Sequence, residues 1–146
     1  MSKLAKEIMT PAPQCCSADT TLNDVANLMV EADCGEIPVT DGSNRLIGVV
    51  TDRDIVVRAV AKGKNPSATT AGECMTEPVV VVNEDTTLAD EMAVMEENQI
   101  RRVPVLDRDQ RLVGIVSLGD LAVETQDQHL AGQTLEGVSE PGKSNR

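Results

Sequence analysis

The spacing of apolar residues divides the chain into elements. Leu22, Val25, Ala26 and Met29 recur at helical intervals, as do Leu88, Met92 and Met95. Each run opens on a hydroxyl residue with a carboxylate three places on, Thr21-Leu22-Asn23-Asp24 and Thr87-Leu88-Ala89-Asp90, the signature of a capped helix start. Short apolar runs follow each helix. Residues 36–40 and 45–50 flank the polar turn Asp41-Gly42-Ser43-Asn44, and residues 102–106 and 111–116 flank Asp107-Arg108-Asp109-Gln110, so each set predicts a β-hairpin. The second strand of each hairpin runs straight into another helix start, at Thr51-Asp52-Arg53-Asp54 and Ser117-Leu118-Gly119-Asp120. An extended segment precedes the first helix, clear at Val79 to Val82 and weaker at Gln14 to Ser17. Each set reads β-α-β-β-α, an α/β unit with its sheet and helices in two layers.

The two sets are copies. Shifting the sequence by 66 positions lays Met9-Thr10 on Met75-Thr76, Asp19 to Leu22 on Asp85 to Leu88, Pro38-Val39 on Pro104-Val105, Gly48 on Gly114 and Asp54 on Asp120. A copy of about 55 residues is marginal as an independent fold. The expected solution is therefore two tandem repeats packed about a pseudo-twofold axis and sharing a buried layer. On this reading the first repeat occupies residues 1–62, a connector 63–72, the second repeat 73–126 and a polar tail 127–146.

Composition narrows the function. With 13 basic and 24 acidic residues among 146, the formal charge is −11. A nucleic acid or an anionic membrane is thereby a poor partner, whereas a small anion needs only a few local donors. No Phe, Tyr or Trp is present, so a bound purine would lie between aliphatic side chains. No apolar run reaches membrane-spanning length and the amino terminus lacks the apolar core of a signal peptide, which sets a cytoplasmic expectation. Cys15, Cys16, Cys34 and Cys74 have no metal-site spacing, and His129, the only histidine, falls in the polar tail. Without a histidine beside a nucleophile or a poised carboxylate pair, the chain is not expected to be an enzyme.

Taken together, the paired IMT and CMT starts, IPV and VPV before acidic turns, and GVVTDRD and GIVSLGD entering the last helix resemble a cystathionine-beta-synthase (CBS) domain pair, or Bateman module, over about residues 4 to 126. The resemblance implies a non-catalytic regulatory unit whose clefts between repeats take adenosine-containing ligands: AMP first, with ADP, ATP, S-adenosylmethionine or NAD as further members of the class. No metal is required. It also implies that Thr51 and Asp54 in the first copy, and Ser117 and Asp120 in the second, face phosphate and ribose, joined by Thr10, Thr76, Arg101 and Arg102. From local sequence alone, the T-x-x-D and S-x-x-D starts read equally as capping boxes.

The copies differ in charge. Arg101-Arg102 stands where the first copy has Gly35-Glu36, and Arg53 stands where the second has Gly119. The better nucleotide site is expected from Thr10, Arg101, Arg102, Ser117 and Asp120, and the weaker from Thr76, Thr51, Arg53 and Asp54. Neighbouring strand residues face opposite ways, so one arginine should enter the cleft, with Arg102 favoured. Arg45 and Arg111 are expected to be solvated or paired with Asp41 and Asp107. The apolar helix faces carrying Leu22, Val25, Met29, Val57, Leu88, Met92, Met95 and Leu121 exceed what one thin two-layer unit is expected to bury, which predicts a homodimer. The alternative function is a structural dimerisation or interaction module with no physiological nucleotide. A regulated protein is a further expected partner of the sensor.

Overall fold

The computed structural model describes residues 3–124; His129 and the polar tail lie outside that range. The described chain forms two compact units, one continuous over 14–79 and one built from 3–13 together with 80–124. Each unit thus contains the body of one repeat and the short segment that precedes the other in sequence.

In the 14–79 unit, helix α2 (Leu22–Ala32) leads to the antiparallel hairpin β2 (Glu36–Thr40) and β3 (Leu46–Thr51). Helix α3 (Asp52–Ile55) follows at once and widens into a π-helical turn over Val56–Val60, and the single-turn helix α4 (Ala71–Cys74) precedes Thr76. Cys16 bridges Val39 in parallel at one side of the hairpin, and Thr76 bridges Val49 antiparallel at the other. The other unit repeats this plan. It holds α1 (Ala5–Ile8), β1 (Thr10–Pro11), β4 (Val82–Asn83), α5 (Leu88–Asn98), β5 (Arg102–Leu106), β6 (Leu112–Ser117) and α6 (Leu118–Glu124). Its sheet order is β1-β6-β5-β4, with only β4 parallel to its neighbour. The expected β-α-β-β-α repeat is present in both units.

The correspondence extends to backbone detail. The C-caps Asp33 and Gln99 have φ of 50° and 52°, and the turn residues Asn44 and Gln110 have φ of 62° and 67°, each pair separated by the same 66 positions. Polar residues of this kind tolerate the left-handed region where apolar β-branched ones do not. Asp41 and Asp107 close the hairpin turns through Oδ1, which accepts from Ser43 and Arg45 N–H in one and Asp109 and Arg111 N–H in the other. These aspartates hold the backbone of Arg45 and Arg111, whose side chains are exposed, the solvated one of the two expected arrangements. Those bonds keep the Asp41 carboxyl below its usual pKa.

Helix starts are satisfied from outside the repeat body. Leu22 N–H donates to Thr69 O at 2.9 Å, and Leu88 N–H donates to Lys3 O at 3.0 Å. Thr21 and Thr87 cap α2 and α5 by accepting from Asp24 and Asp90 N–H, both at 3.3 Å. The reciprocal carboxylate bonds expected of Asp24 and Asp90 are not formed. A carboxylate does reach back to the helix start ahead of each Met-Thr pair, where Glu7 accepts from Leu4 N–H at 2.6 Å and Glu73 from Thr70 N–H at 2.7 Å.

Each unit has its own apolar core. Leu22, Val25, Met29, Ile37, Val39 and Val50 fill one, and Met92, Met95, Val103, Val105, Val116 and Leu121 fill the other. This corrects the expectation of surplus apolar helix faces: of the residues named for it, Val57 is exposed and Leu88 partly buried, and the remainder are inside. Among the described residues the large apolar side chains left exposed are Val30, Val56, Val57, Val60, Val80 and Val123.

Gly48 and Gly114 occupy the central position of β3 and β6, where the Met-Thr edge crosses closely. A Cβ on Gly48 would stand 3.0 Å from Met75 Cγ and 3.2 Å from Thr76 O, and one on Gly114 2.7 Å from Met9 Cγ and 2.9 Å from Thr10 O. Gly114→Ala should therefore destabilise the fold by about 1–3 kcal/mol, and Gly48→Ala by less, because overpacking forces backbone as well as side chain to shift. Urea denaturation of the two variants checks the order.

Candidate ligand-binding sites

Both helix starts that follow a hairpin are held to the start of that hairpin. Asp52 N–H donates to Gly35 O at 2.9 Å and Leu118 N–H to Arg101 O at 2.8 Å. Strand register then sets Glu36 opposite Thr51 and Arg102 opposite Ser117. Directly opposed residues of an antiparallel pair project to the same face, so Arg102 shares its face with Ser117, and Arg101 is turned away. Arg101 is exposed and Arg102 half-buried.

In the 14–79 unit the four residues expected together are Thr51, Arg53, Asp54 and Thr76. Thr51 and Asp54 form a closed capping box, with Asp54 N–H donating to Thr51 Oγ1 and Thr51 N–H to Asp54 Oδ2, both at 3.0 Å. Thr76 Oγ1 is 3.1 Å from both Asp54 oxygens and donates to that carboxylate. Arg53 remains exposed, its N–H taken by Asp52 Oδ1 at 2.8 Å. The cation at Asp54 is Arg58, with Nε 3.8 Å from Oδ1 and a terminal nitrogen donating to Cys74 O and Met75 O at 3.2 and 2.9 Å. Arg58 escaped the motif reading, although its place four residues after Asp54 on one helical stretch is the spacing of an ion pair. Asp54 is buried and its carboxylate is fully engaged by the protein.

The other unit brings Thr10, Arg102, Ser117 and Asp120 onto neighbouring positions, with Thr10 opposite Ile115 on β6, two residues before Ser117. Ser117 and Asp120 also close a capping box, with bonds of 3.0 and 3.1 Å through Asp120 Oδ2 and Ser117 Oγ. Among the described residues, however, no bond joins Thr10 to Asp120, and no cation stands where Arg58 stands. Its counterpart is Glu124, which pairs with Lys3 at 2.7 Å. Asp120 is half-buried and Thr10 exposed. Leu118-Gly119 replaces Asp52-Arg53, so the second start carries no carboxylate at its first position, and a Cβ on Gly119 would meet only Ser117 Oγ at 3.6 Å.

The cysteines lie outside this geometry. Cys16 is buried and its thiol is pushed up to about 11 by burial and by neighbouring Cys15, so at neutral pH it is not a thiolate nucleophile. Among the described residues no group of three or more His, Cys, Asp or Glu is placed to hold a metal ion, and no helix is long and apolar enough to cross a membrane.

The CBS domain model matches residues 5–60 and 71–125. The chain thus belongs to the CBS domain family and is a CBS domain pair, a regulatory module of a kind without catalytic machinery. It is 40% identical over 118 residues to Hypoxic response protein 1 of Mycobacterium tuberculosis, an alignment covering 81% of this chain and 82% of that protein. The crystal structure of Hypoxic Response Protein I with two coordinated zinc ions superposes with a TM-score of 0.78 at 38% identity, covering 84% of this chain and 99% of that one. CBSX2 of Arabidopsis thaliana, solved in complex with AMP, superposes with a TM-score of 0.72 at 29% identity over 82% of this chain and 93% of its own. The CBS domain pair of protein MJ0100, solved with 5′-methylthioadenosine and S-adenosyl-L-methionine, gives a TM-score of 0.74 at 26% identity over 91% and 99%.

The unequal engagement of the two aspartates has a direct consequence for stability. Asp54→Asn weakens a buried carboxylate that serves a cap, a hydroxyl and a guanidinium, and should cost about 2–3 kcal/mol, whereas Asp120→Asn weakens a half-buried cap and should cost about 1 kcal/mol. Chemical melts of both variants measure the difference.

Proposed function

We propose that the chain is a regulatory module that binds an adenosine-containing ligand, AMP foremost, at Thr10, Arg102, Ser117 and Asp120. The supporting observation is that Asp120 is half-buried with only Oδ2 engaged among the described residues, beside an arginine fixed in register opposite Ser117. A ribose offers two hydroxyl donors to such a carboxylate, and a guanidinium suits a phosphate. The complexes of CBSX2 with AMP and of the MJ0100 pair with 5′-methylthioadenosine and S-adenosyl-L-methionine support the same ligand class. ADP, ATP, S-adenosylmethionine and NAD share the adenosine moiety and are the comparators for ligand identity. Arg101 contributes its backbone carbonyl to the helix start, so its role is to position the site.

Thr51, Arg53, Asp54 and Thr76 form the weaker site on this reading. A ligand there must displace Thr76 from Asp54 and meets the Asp52 carboxylate at the helix start. Titration calorimetry with AMP should show Asp120→Asn losing about tenfold to a hundredfold in affinity, the worth of a charged hydrogen bond, and Asp54→Asn losing less. Unchanged affinity in Asp120→Asn with lowered stability would reduce the site to a cap.

We further propose that the module acts as a homodimer. Val56, Val57 and Val60 are exposed on one short helical stretch, and Val123 occupies the position equivalent to Val57 in the other repeat. Repeated exposure of apolar residues at matching places favours a self-complementary contact. Light scattering should give twice the chain mass of 15.5 kDa at micromolar concentration, falling to a single chain in Val57→Glu/Val60→Glu. A wild-type monomer with and without AMP would refute the dimer.

A further inference from the structure

The first copy places Val25 in its core, fully buried, and the position 66 residues later holds Glu91, which is equally buried. Among the described residues neither oxygen of Glu91 has a hydrogen-bond partner. On α5 it lies between Leu88 one turn before and Met95 one turn after, and its backbone N–H is satisfied normally by Thr87 O at 2.9 Å. An ionised carboxylate without a partner in such a place is strongly disfavoured, whereas the neutral acid is tolerated as a modest polar burial.

Among the described residues of the unit no charge compensates it. Lys6 and Glu7 on α1 are exposed, as are Asp90, Glu96 and Glu97 on α5 itself. On α6, Asp120 is tied to Ser117 and Glu124 to Lys3, and Arg102 stands at the open end of β5. Strands β1, β4 and β6 carry no charged residue.

We propose that Glu91 is a proton switch in the core of the 80–124 unit: protonated, it packs as a neutral side chain, and ionised, it forces the start of α5 to open toward water. Burial alone, with no charged neighbour contributing, raises its pKa from 4.5 to about 7. The sign follows. Between these two values the folded state holds a proton that the unfolded state has released, so stability falls as pH rises through this window and levels off above it. The switch operates near neutrality, and Glu91 is not itself among the residues of the proposed site.

The test compares the full chain with Glu91→Gln, which cannot ionise, and Glu91→Val, which reproduces the first copy. Urea melts from about pH 5 to pH 8 should show the wild-type unfolding constant rising roughly 70-fold more than that of either variant. Parallel pH profiles in wild type and variants would overturn the proposal. Carbon NMR of the Glu91 carboxyl supplies an independent reading that needs no variant: a midpoint near 7 supports the switch, and one near the ordinary glutamate value sinks it.

Discussion

A helix start carries N–H groups with no acceptor inside the helix, and in this chain that need determines which segments lie together. Leu22 N–H is taken by Thr69 O and Leu88 N–H by Lys3 O, so the segment ahead of each repeat closes the first helix of the other repeat's body. Asp52 N–H is taken by Gly35 O and Leu118 N–H by Arg101 O, so each hairpin is locked to the helix that leaves it. From the second pair follow the register, the shared face of Arg102 and Ser117, and the position of each Ser/Thr-x-x-Asp box. The candidate sites are thus by-products of closing four helix ends.

Much of this was legible in the sequence because the repeat doubles every weak signal. One Ser/Thr-x-x-Asp says little, but two at an offset of 66, each following a strand, define a strand-to-helix junction. Contacts between distant segments were less legible. That Arg58 meets Asp54 while also holding the carbonyls of Cys74 and Met75 depends on where the segment before Thr76 returns, which no local pattern encodes. The apolar helix faces misled for a related reason. Composition counts how much apolar surface there is, whereas the two separate cores decide how much is covered, and they cover Leu22, Val25, Met29, Met92, Met95 and Leu121.

The capping and ligand readings of Thr51-Asp54 and Ser117-Asp120 are compatible. A cap occupies one carboxylate oxygen and leaves the other for a second partner. In the 14–79 unit that capacity is used by Thr76 and Arg58, and the result is a self-satisfied polar cluster beneath β3 and α3. In the other unit the arginine position is a glutamate that turns to Lys3, and the Asp120 carboxylate retains acceptor capacity. The difference between a structural cluster and a receptive one therefore rests on a side chain four residues away from the aspartate.

Duplication explains how such differences accumulate at small cost to the fold. The paired left-handed residues, the glycines under the Met-Thr edge and the helix-end acceptors are retained in both copies, because changing any of them disturbs backbone that several elements share. Side chains whose contacts serve only one copy are free to diverge. Gly35-Glu36 against Arg101-Arg102, Asp52-Arg53 against Leu118-Gly119, Arg58 against Glu124 and Val25 against Glu91 are all substitutions of this kind. The last differs from the rest because it lies inside a core, where a carboxylate is costly unless protonated. Helix α5, which carries it, packs in the same unit as α6, which starts at Ser117-Asp120. A change of charge in that core therefore acts on the support of the receptive cluster in one copy, while the valine in the other leaves the self-satisfied cluster insensitive to the same change.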